Sequence, residues 1–596
     1  MDNSVDNFED NSVNNMLKSH EGLEWFDFWA DFLSQSPFYT GPYKEELINL
    51  IKTLGQSLLE GDSCIELSAP VLNLNEIIAS VDTQQAVDKP LVWDAPYLYL
   101  QRYWQLERQL AQRIAILIQH RMQPIAVQPY LALFNDPYQQ QALTIGVNSS
   151  FAMITGGPGT GKTYILTRIV AVLKHFQPEL RIAMAAPTGK AAQRMQEALQ
   201  LAFNDPALQQ ANLYHTDLAQ QQTQTLHRLL GMGYRQIPKY NQEHPLPYDV
   251  IVVDEASMLD LTLAHALLNA LHSSTRLILL GDANQLSSVD VGYVLADLQQ
   301  VEVLQNYRVQ LQTSRRFSDQ AQIGRFARFI YQVDQPPYLE QWLQQVKPEI
   351  IKYHDLCDVI LQENNTQQHL PIDWVGYYPI DENSAPSEDA LIYQKLAQGY
   401  DSYIQAVKKY RLGTMNNDEL AQAFDGYRIL VAMRTGHLGL ERMNQLMTHY
   451  IRQQLQIVEP GEWFEGRAVM MIYNDDQLGL SNGDIGICLK DHLHSEQYVV
   501  YFPSLKRVIA AARLPQSMQT AFALTIHKSQ GSEFRHVAVV LDKLAQQLLS
   551  KELLYTAVTR AKKMVSIYAH AQALELSLQR KTSRCSGLAR QLARCL

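Results

Sequence analysis

Residues 155–163, TGGPGTGKT, limit what this chain can fold into more than any other stretch. Gly156 is followed by four residues and then by Gly161, Lys162 and Thr163, the spacing of a phosphate-binding loop. Gly156, Gly157, Gly159 and Gly161, with Pro158 and Thr160 between them, let the backbone turn so that successive N–H groups face one phosphate chain. A helix starting near Lys162 aims its positive end at the same point. In such a loop Lys162 is expected to reach the β- and γ-phosphates and the Thr163 hydroxyl to ligate Mg²⁺. The flanks fit: residues 151–155 read as a short buried strand and 164–175 as a helix. The reading is a nucleoside-triphosphate site on an α/β fold.

A second motif lies about 90 residues on. The apolar run 250–253 ends in Asp254 and Glu255. Asp254 is expected to hold Mg²⁺ and Glu255 to orient and deprotonate the attacking water. An acidic turn after a buried strand is the bland reading of that pair, and the phosphate loop upstream overrides it. Strand 276–280 then leads into Asp282 and Gln285, and a Gln at that strand tip can sense the γ-phosphate and the water. Gln139 stands 156 − 139 = 17 residues before the first loop glycine, with Ala142 in Q-x-x-A spacing. Its amide can both donate to and accept from an adenine edge. The alternation of strands and helices across 150–330 implies a parallel sheet with helices on both faces and the nucleotide at the carboxyl ends of the strands.

The α/β pattern recurs across 331–596 without a phosphate loop, with strands expected at 427–433, 521–525, 536–541 and 564–568. An interruption at about 466–514, broken by Asn482-Gly483-Asp484, reads as several short strands and suggests a small β-barrel. Arg560 has no acid one helical turn away and is free to reach across a cleft; Arg316 is a second such candidate. Either alone is more often a surface arginine, but together with two α/β domains they suggest paired arginine fingers on the γ-phosphate.

The remainder is described by bulk properties. No apolar run approaches the ~18 residues of a membrane span. The first fifteen residues are acidic and polar, unlike a secretory signal. Five scattered cysteines without a C-x-x-C pair argue for a reducing compartment, so a cytoplasmic protein is expected. A net charge of −11 repels DNA at long range and confines nucleic-acid binding to local clusters or another subunit. The basic group Arg580, Lys581, Arg584, Arg590 and Arg594 reads equally as a solvated helix or a DNA contact. Residues 23–127 have helical periodicity, a hairpin-like run at 91–100 and a helix from Tyr103-Trp104 to about Gln119; a structural role and a docking role both fit. Residues 232–248 resemble an exposed loop insertion.

Taken together, Q-x-x-A, GGPGTGKT, APTGKAA, TLHRLLG, VVDEASM, GDANQL, SRRF, TIHKSQGSEF and LLYTAVTRA, in this order over about 420 residues, resemble the superfamily 1 helicases. Within that group PLVWDAPYLYLQRYW, YRILVAMRTGHLG, NDDQLGLSNGDIGI and SRCSGLA are similar to the alpha-subunit family of RecBCD-type (exonuclease V) complexes. Arg315 departs from the pattern, which carries an aromatic before the motif arginine; this bears on local packing. The resemblance implies two RecA-like motor domains, with boundaries expected at 1–120 (a mainly helical docking domain), 121–335 (phosphate loop) and 336–596 (carrying an SH3-like barrel). It implies ATP-driven 5′-to-3′ movement on single-stranded DNA. It implies a heterotrimer with RecB-like and RecC-like subunits acting on DNA ends, with nuclease chemistry in another subunit. It further implies strand contacts from Pro187, Thr188, Gly189, Lys190, Thr225, His227, Thr525, His527, Lys528 and Ser529, and nucleotide contacts from Gly531 and Glu533. The competing readings are a free-standing helicase of similar build and a non-motor scaffold with a degenerate ATP site. The presence of Lys162, Thr163, Asp254, Glu255, Gln285 and Arg560 disfavours the last.

Overall fold

In the computed structural model the described residues are 21–68, 74–81, 89–213, 215–233, 237–288, 290–313, 321–350, 374–380, 386–475, 477–491, 497–582 and 584–596. Among them the strands form four sheets. The first motor sheet runs in the spatial order Arg308–Leu311, Phe151–Gly156, Arg276–Gly281, Val250–Val253, Ile182–Ala186 and Thr223–Thr225, all parallel. Its central strands are buried throughout and mostly apolar because both faces are covered. Alternation along each strand sends neighbouring residues into different cores. Met153, Ile251, Val253 and Leu279 face one cluster, and Ala152, Ile154, Val252 and Ile278 face the other. Helices Pro137–Asn148 and Lys162–Phe176 pack in the second of these.

The second motor sheet, also parallel, orders Glu349–Ile350, Trp374–Ile380, Ala561–His570, Phe534–Leu541, Tyr427–Val431 and Ala523–Thr525. The α/β class with two motor sheets therefore agrees with the expectation. The interrupting element is an antiparallel five-stranded sheet ordered Arg507–Ala510, Tyr498–Phe502, Ile485–Lys490, Ala468–Met470 and Gln519–Thr520. Among the described residues its two edge strands do not pair with each other, so the expected barrel is seen as an open sheet. Here too alternation explains the placement. Ala468, Met470, Ile487, Leu489 and Tyr501 pack on the motor domain, while Val469, Cys488, Val500 and Phe502 build a small core of their own.

The amino-terminal region combines its helices with a small sheet that extends the expected hairpin. Helices Glu21–Leu33, Lys44–Leu59 and Gln101–Gln119 are joined by a four-stranded sheet ordered Cys64–Glu66, Tyr97–Leu100, Leu91–Asp94 and Ile78–Ser80. The expected hairpin pairs Leu91 with Leu100 through Asp94 with Tyr97. The outer strands are only three residues long, too short for periodicity to reveal. Nor is the core separate: Leu110 and Ile114 share one apolar cluster with Leu263 and Leu267 of the first motor domain. Arg113 fixes the contact, donating to the carbonyls of Leu268 (3.1 Å) and Leu271.

Helix Leu588–Cys595 returns to this region and lies along Gln101–Gln119. Asp94, almost fully buried, accepts from Trp104 Nε1 (3.1 Å), Gln591 Nε2 (2.7 Å) and Arg594 Nη1 (2.8 Å). Burial pushes its carboxyl up, but the Arg594 and Trp104 donors outweigh that and hold it below the usual range. Glu107, buried, accepts from Ser63, Ser586 and Tyr99; burial dominates and pushes its carboxyl up to about 7. Arg584 donates to the carbonyls of Ser288 (2.9 Å) and Gly292 (3.1 Å) in the first motor domain. Arg584 and Arg594 thus take structural partners, which replaces the solvated or DNA-facing reading of these two. No helix among the described residues is long and apolar enough to cross a membrane.

Candidate active site

The phosphate loop joins strand Phe151–Gly156 to helix Lys162–Phe176. Gly159, at φ +76°, and Gly161, at φ +88°, both adopt the left-handed region that a side chain disfavours, and Gly161 caps the helix. The Lys162 ammonium donates to the carbonyls of Gly156 (2.6 Å) and Gly157 (3.2 Å), so it is curled over the loop it is expected to serve. Thr163 is half-buried on the first turn. Gln139 packs on the same loop, its Nε2 donating to Thr160 O at 3.3 Å. Its Oε1 is buried without a hydrogen-bond partner, which fits an acceptor reserved for an adenine amino group.

Strand Val250–Val253 delivers Asp254 and Glu255 to the same end of the sheet. Asp254 Oδ1 accepts the Glu255 N–H at 2.9 Å. Burial first, and the Glu255 charge second, push the Asp254 carboxyl up, while Lys162 opposes them. Glu255 itself has φ +53° and ψ +40°, a left-handed conformation for a residue with a side chain. Strain of this kind is held where the surrounding structure over-determines the backbone. Strand Arg276–Gly281 adds Asp282 and Gln285, both buried.

The second motor domain meets these groups directly. Arg560 follows helix Lys551–Thr559, is 3% exposed, and donates through Nη2 to Gln285 Oε1 at 2.8 Å. Its Nε and Nη1 donate to Thr556 O (3.1 Å) and Ser532 O (3.3 Å). Leu286 inserts into the core of the second domain; its N–H donates to Thr556 Oγ1 (2.8 Å) and its carbonyl accepts from Gln530 Nε2 (2.6 Å). Tyr555 donates to Asp282 Oδ2 at 3.0 Å. Tyr555, Thr556 and Gln530 were not singled out from the sequence, although all three stand inside the quoted motifs. Arg316 lies outside the described residues.

The expected strand contacts lie on other loops of the two domains. Thr188 caps helix Gly189–Phe203 by accepting the Ala191 N–H at 3.3 Å, and Thr225 caps Leu226–Leu229 by accepting from Arg228 N at 3.2 Å. Pro187 and His227 are half-buried beside them, and burial lowers the His227 pKa. Lys190 lies over the Phe534 ring at 5.5 Å, and burial pushes its ammonium down to about 8. On the second domain Thr525 Oγ1 accepts from Lys528 N (3.3 Å), and burial pushes His527 down to about 4. The five-stranded sheet reaches both sides: Asn482 Oδ1 accepts from Lys528 Nζ (3.0 Å), and a Cβ on Gly189 would stand 2.4 Å from that of Ser481.

Ser529 is fully buried and donates its hydroxyl to Ile526 O at 2.7 Å, so it shapes the turn instead of meeting a strand. Glu533 is engaged by Arg194 (3.5 Å) and Lys562 (3.7 Å), and Gly531 lies against Ala191. Residues 237–248 fold back onto the first motor domain, with Leu246 buried and its N–H donated to Ala270 O.

A nucleotide loop on one parallel sheet, met by an arginine from a second, is the arrangement of a two-domain ATP-dependent motor, and the relatives below make that motor an ATP-dependent DNA helicase. Residues 139–290 match the AAA domain model and residues 520–568 the UvrD-like helicase C-terminal domain. The chain is 32% identical over 555 residues to the RecBCD enzyme subunit RecD of Haemophilus influenzae, covering 86% of this chain and 82% of that protein. It is 33% identical to the RecBCD enzyme subunit RecD of Mycolicibacterium smegmatis (83% and 82% covered). It is 27% identical to the ATP-dependent RecD2 DNA helicase of Deinococcus radiodurans, covering 72% of this chain and 48% of that protein. The chain belongs to the RecD family of RecBCD enzyme subunits.

Proposed function

We propose that this chain is the 5′-to-3′ motor of a RecBCD-type exonuclease V complex in the cytoplasm. In this reading it pulls the 5′-ended strand while a RecB-like motor and a RecC-like subunit complete a heterotrimer that processes DNA ends. The observation that supports an ATP-driven stroke is the Arg560–Gln285 hydrogen bond across the cleft, between the two motor domains. Lys162 and the loop N–H groups would hold the phosphates, Glu255 would orient water and take its proton, and Gln139 would take the adenine. Thr163 and Asp254 form the donor set for Mg²⁺, which would neutralise phosphate charge. Arg560, with Arg316 as its expected companion, would bind the γ-phosphate and close the cleft; loss of that charge contact would reopen it. Pro187–Lys190 with Thr225 and His227 on one domain, and Thr525, His527 and Lys528 on the other, would grip the strand alternately. In this reading residues 1–120, 121–335 and 336–596 divide the labour between docking and the two motor halves.

The aromatic run Trp93, Tyr97, Tyr99, Tyr103 and Trp104 has the composition of docking anchors, but all of it except the half-buried Tyr97 is turned inward. Trp93, Tyr99, Tyr103 and Trp104 are buried, whereas Phe28 (70% exposed), Phe32 and Phe38 form a contiguous exposed strip. Such aromatics are enriched at interface centres. With a RecC-like subunit and a RecB-like subunit whose own ATP site is inactivated supplied, the full chain is expected to co-purify and to displace a block from the 3′ end of a single strand faster than one from the 5′ end. Phe28→Ser/Phe32→Ser is expected to abolish co-purification while DNA-stimulated ATPase stays within about twofold. Equal displacement at both ends overturns the polarity, and intact co-purification overturns the docking surface.

Lys190 supplies a pH signature. Its ammonium is charged below about 8 and neutral above, and a phosphate favours the charged form. Single-strand affinity is therefore expected to fall several-fold from about pH 7 to about pH 9 in the wild type, and much less in Lys190→Arg. Parallel pH profiles for the two proteins would count against a phosphate contact by Lys190.

A further inference from the structure

Tyr555 stands on helix Lys551–Thr559, five residues before Arg560, and is buried. Its hydroxyl makes two approaches to the first motor domain. It donates to Asp282 Oδ2 at 3.0 Å. It also lies over the phosphate loop, where a Cβ built on Gly157 would come within 2.9 Å of the phenol oxygen. A side chain at 157 would push the hydroxyl away, so the glycine serves the tyrosine as well as the loop. The ring is held from behind by Tyr331, edge-on at 5.2 Å, whose own hydroxyl donates to Asn284 O. Burial, then the Asp282 charge, keep the phenol protonated, so it acts as a donor and takes no part in proton transfer.

Asp282 connects this hydroxyl to the reaction centre. Its Oδ2 accepts from Tyr555 and also from Gln285 Nε2 at 3.2 Å, while Gln285 Oε1 accepts from Arg560. The Gln285 amide is thereby oriented from both ends, its nitrogen toward Asp282 and its oxygen toward Arg560. A buried carboxylate with one donor removed turns toward whatever donor remains, and the amide it oriented loses its register. We infer that Tyr555 is a positioning residue for ATP hydrolysis: through Asp282 it fixes the Gln285 amide in the orientation that Arg560 reads. The inference rests on the proposed role of Gln285 at the γ-phosphate and water.

The test uses the full chain on single-stranded DNA and compares Tyr555→Phe, Gln285→Ala and the double variant. Phenylalanine keeps the ring and its contact with Tyr331, so thermal stability should match the wild type. Tyr555→Phe is expected to lower kcat about tenfold with KM for ATP within about twofold, the loss of one hydrogen bond to a charged group. In the Gln285→Ala background the same change should lower kcat by less than about twofold, because the group it positions is gone. Undiminished effects in the double variant, or a KM effect without a kcat effect, overturn the inference. A slow Gln285→Ala beside a fully active Tyr555→Phe overturns it alone. Full turnover by Gln285→Ala instead removes the role assigned to Gln285, and the route through Tyr555 with it.

Discussion

Lys162→Gln is expected to reduce ATP hydrolysis by about a thousandfold while leaving the fold intact. Losing a charge-assisted contact to a transferring phosphoryl group costs several kcal/mol of barrier, at tenfold per ~1.4 kcal/mol. The fold is spared because Lys162 contributes nothing to the apolar cores. Its helix is held by Ile165, Leu166 and Ile169 on the buried face, and the ammonium donates to the loop carbonyls. Glutamine can still donate to those carbonyls, so the melting temperature should not move. Turnover within about twofold of wild type would exclude the phosphate-loop assignment. Glu255→Gln separates the steps: ATP binding is expected to persist and hydrolysis to stop, and lost binding would count against Glu255 as the base.

Arg560→Ala is expected to lower DNA-stimulated hydrolysis by about 10³-fold or more, with nucleotide affinity nearly unchanged. The arginine belongs to the second motor domain and reaches the site through Gln285, so it adds to the closed arrangement more than to the loop that first receives the nucleotide. Because the side chain is buried and also donates to Thr556 and Ser532, Arg560→Lys is the informative companion. It keeps the charge but loses the planar fork, and should stay close to the alanine variant in rate. Measuring kcat against single-stranded DNA, with affinity for a non-hydrolysable nucleotide, separates the two effects. Normal turnover in either variant would remove Arg560 from the arginine-finger role.

What the sequence made legible was whatever depends on local spacing. The motor strands could be read because each is a short apolar run ending in a functional residue: Phe151–Gly156 in the phosphate loop, Val250–Val253 in Asp254, Arg276–Gly281 in Asp282. Contacts made over long separations were not legible. Tyr555 and Asp282 meet across 273 positions, and nothing in the motif around Tyr555 announces that its hydroxyl rests on Gly157. The aromatic run from Trp93 to Trp104 has the composition of an interface, yet the hairpin buries Trp93 and Tyr99 and the helix after it buries Tyr103 and Trp104. Ser529 carries the polarity of a DNA contact, but its hydroxyl is spent inside its own turn. Strands as short as Thr223–Thr225 leave too few residues for any period to register. The basic residues after 580 could not be assigned because their acceptors, Asp94 and the Ser288 and Gly292 carbonyls, lie near the opposite end of the numbering or on another domain.

The return of helix Leu588–Cys595 to the amino-terminal sheet sets a timetable for biosynthesis. Asp94 finds one of its donors, Gln591, 497 positions downstream, and Arg594 supplies its charge partner from 500 positions away. At about 5–20 residues per second, the ribosome needs on the order of a minute to add that length. Throughout this interval the nascent amino-terminal region carries an acidic residue without its cation and an apolar helix face, Leu110 and Ile114 included, whose neighbours on Leu261–Asn269 emerge much sooner than Leu588 and Leu592. A region translated before the motor sheets is therefore completed after them. Any event that truncates or delays synthesis after strand Ala561–His570 is registered at residues 94 to 107, among groups that take no part in the ATP chemistry.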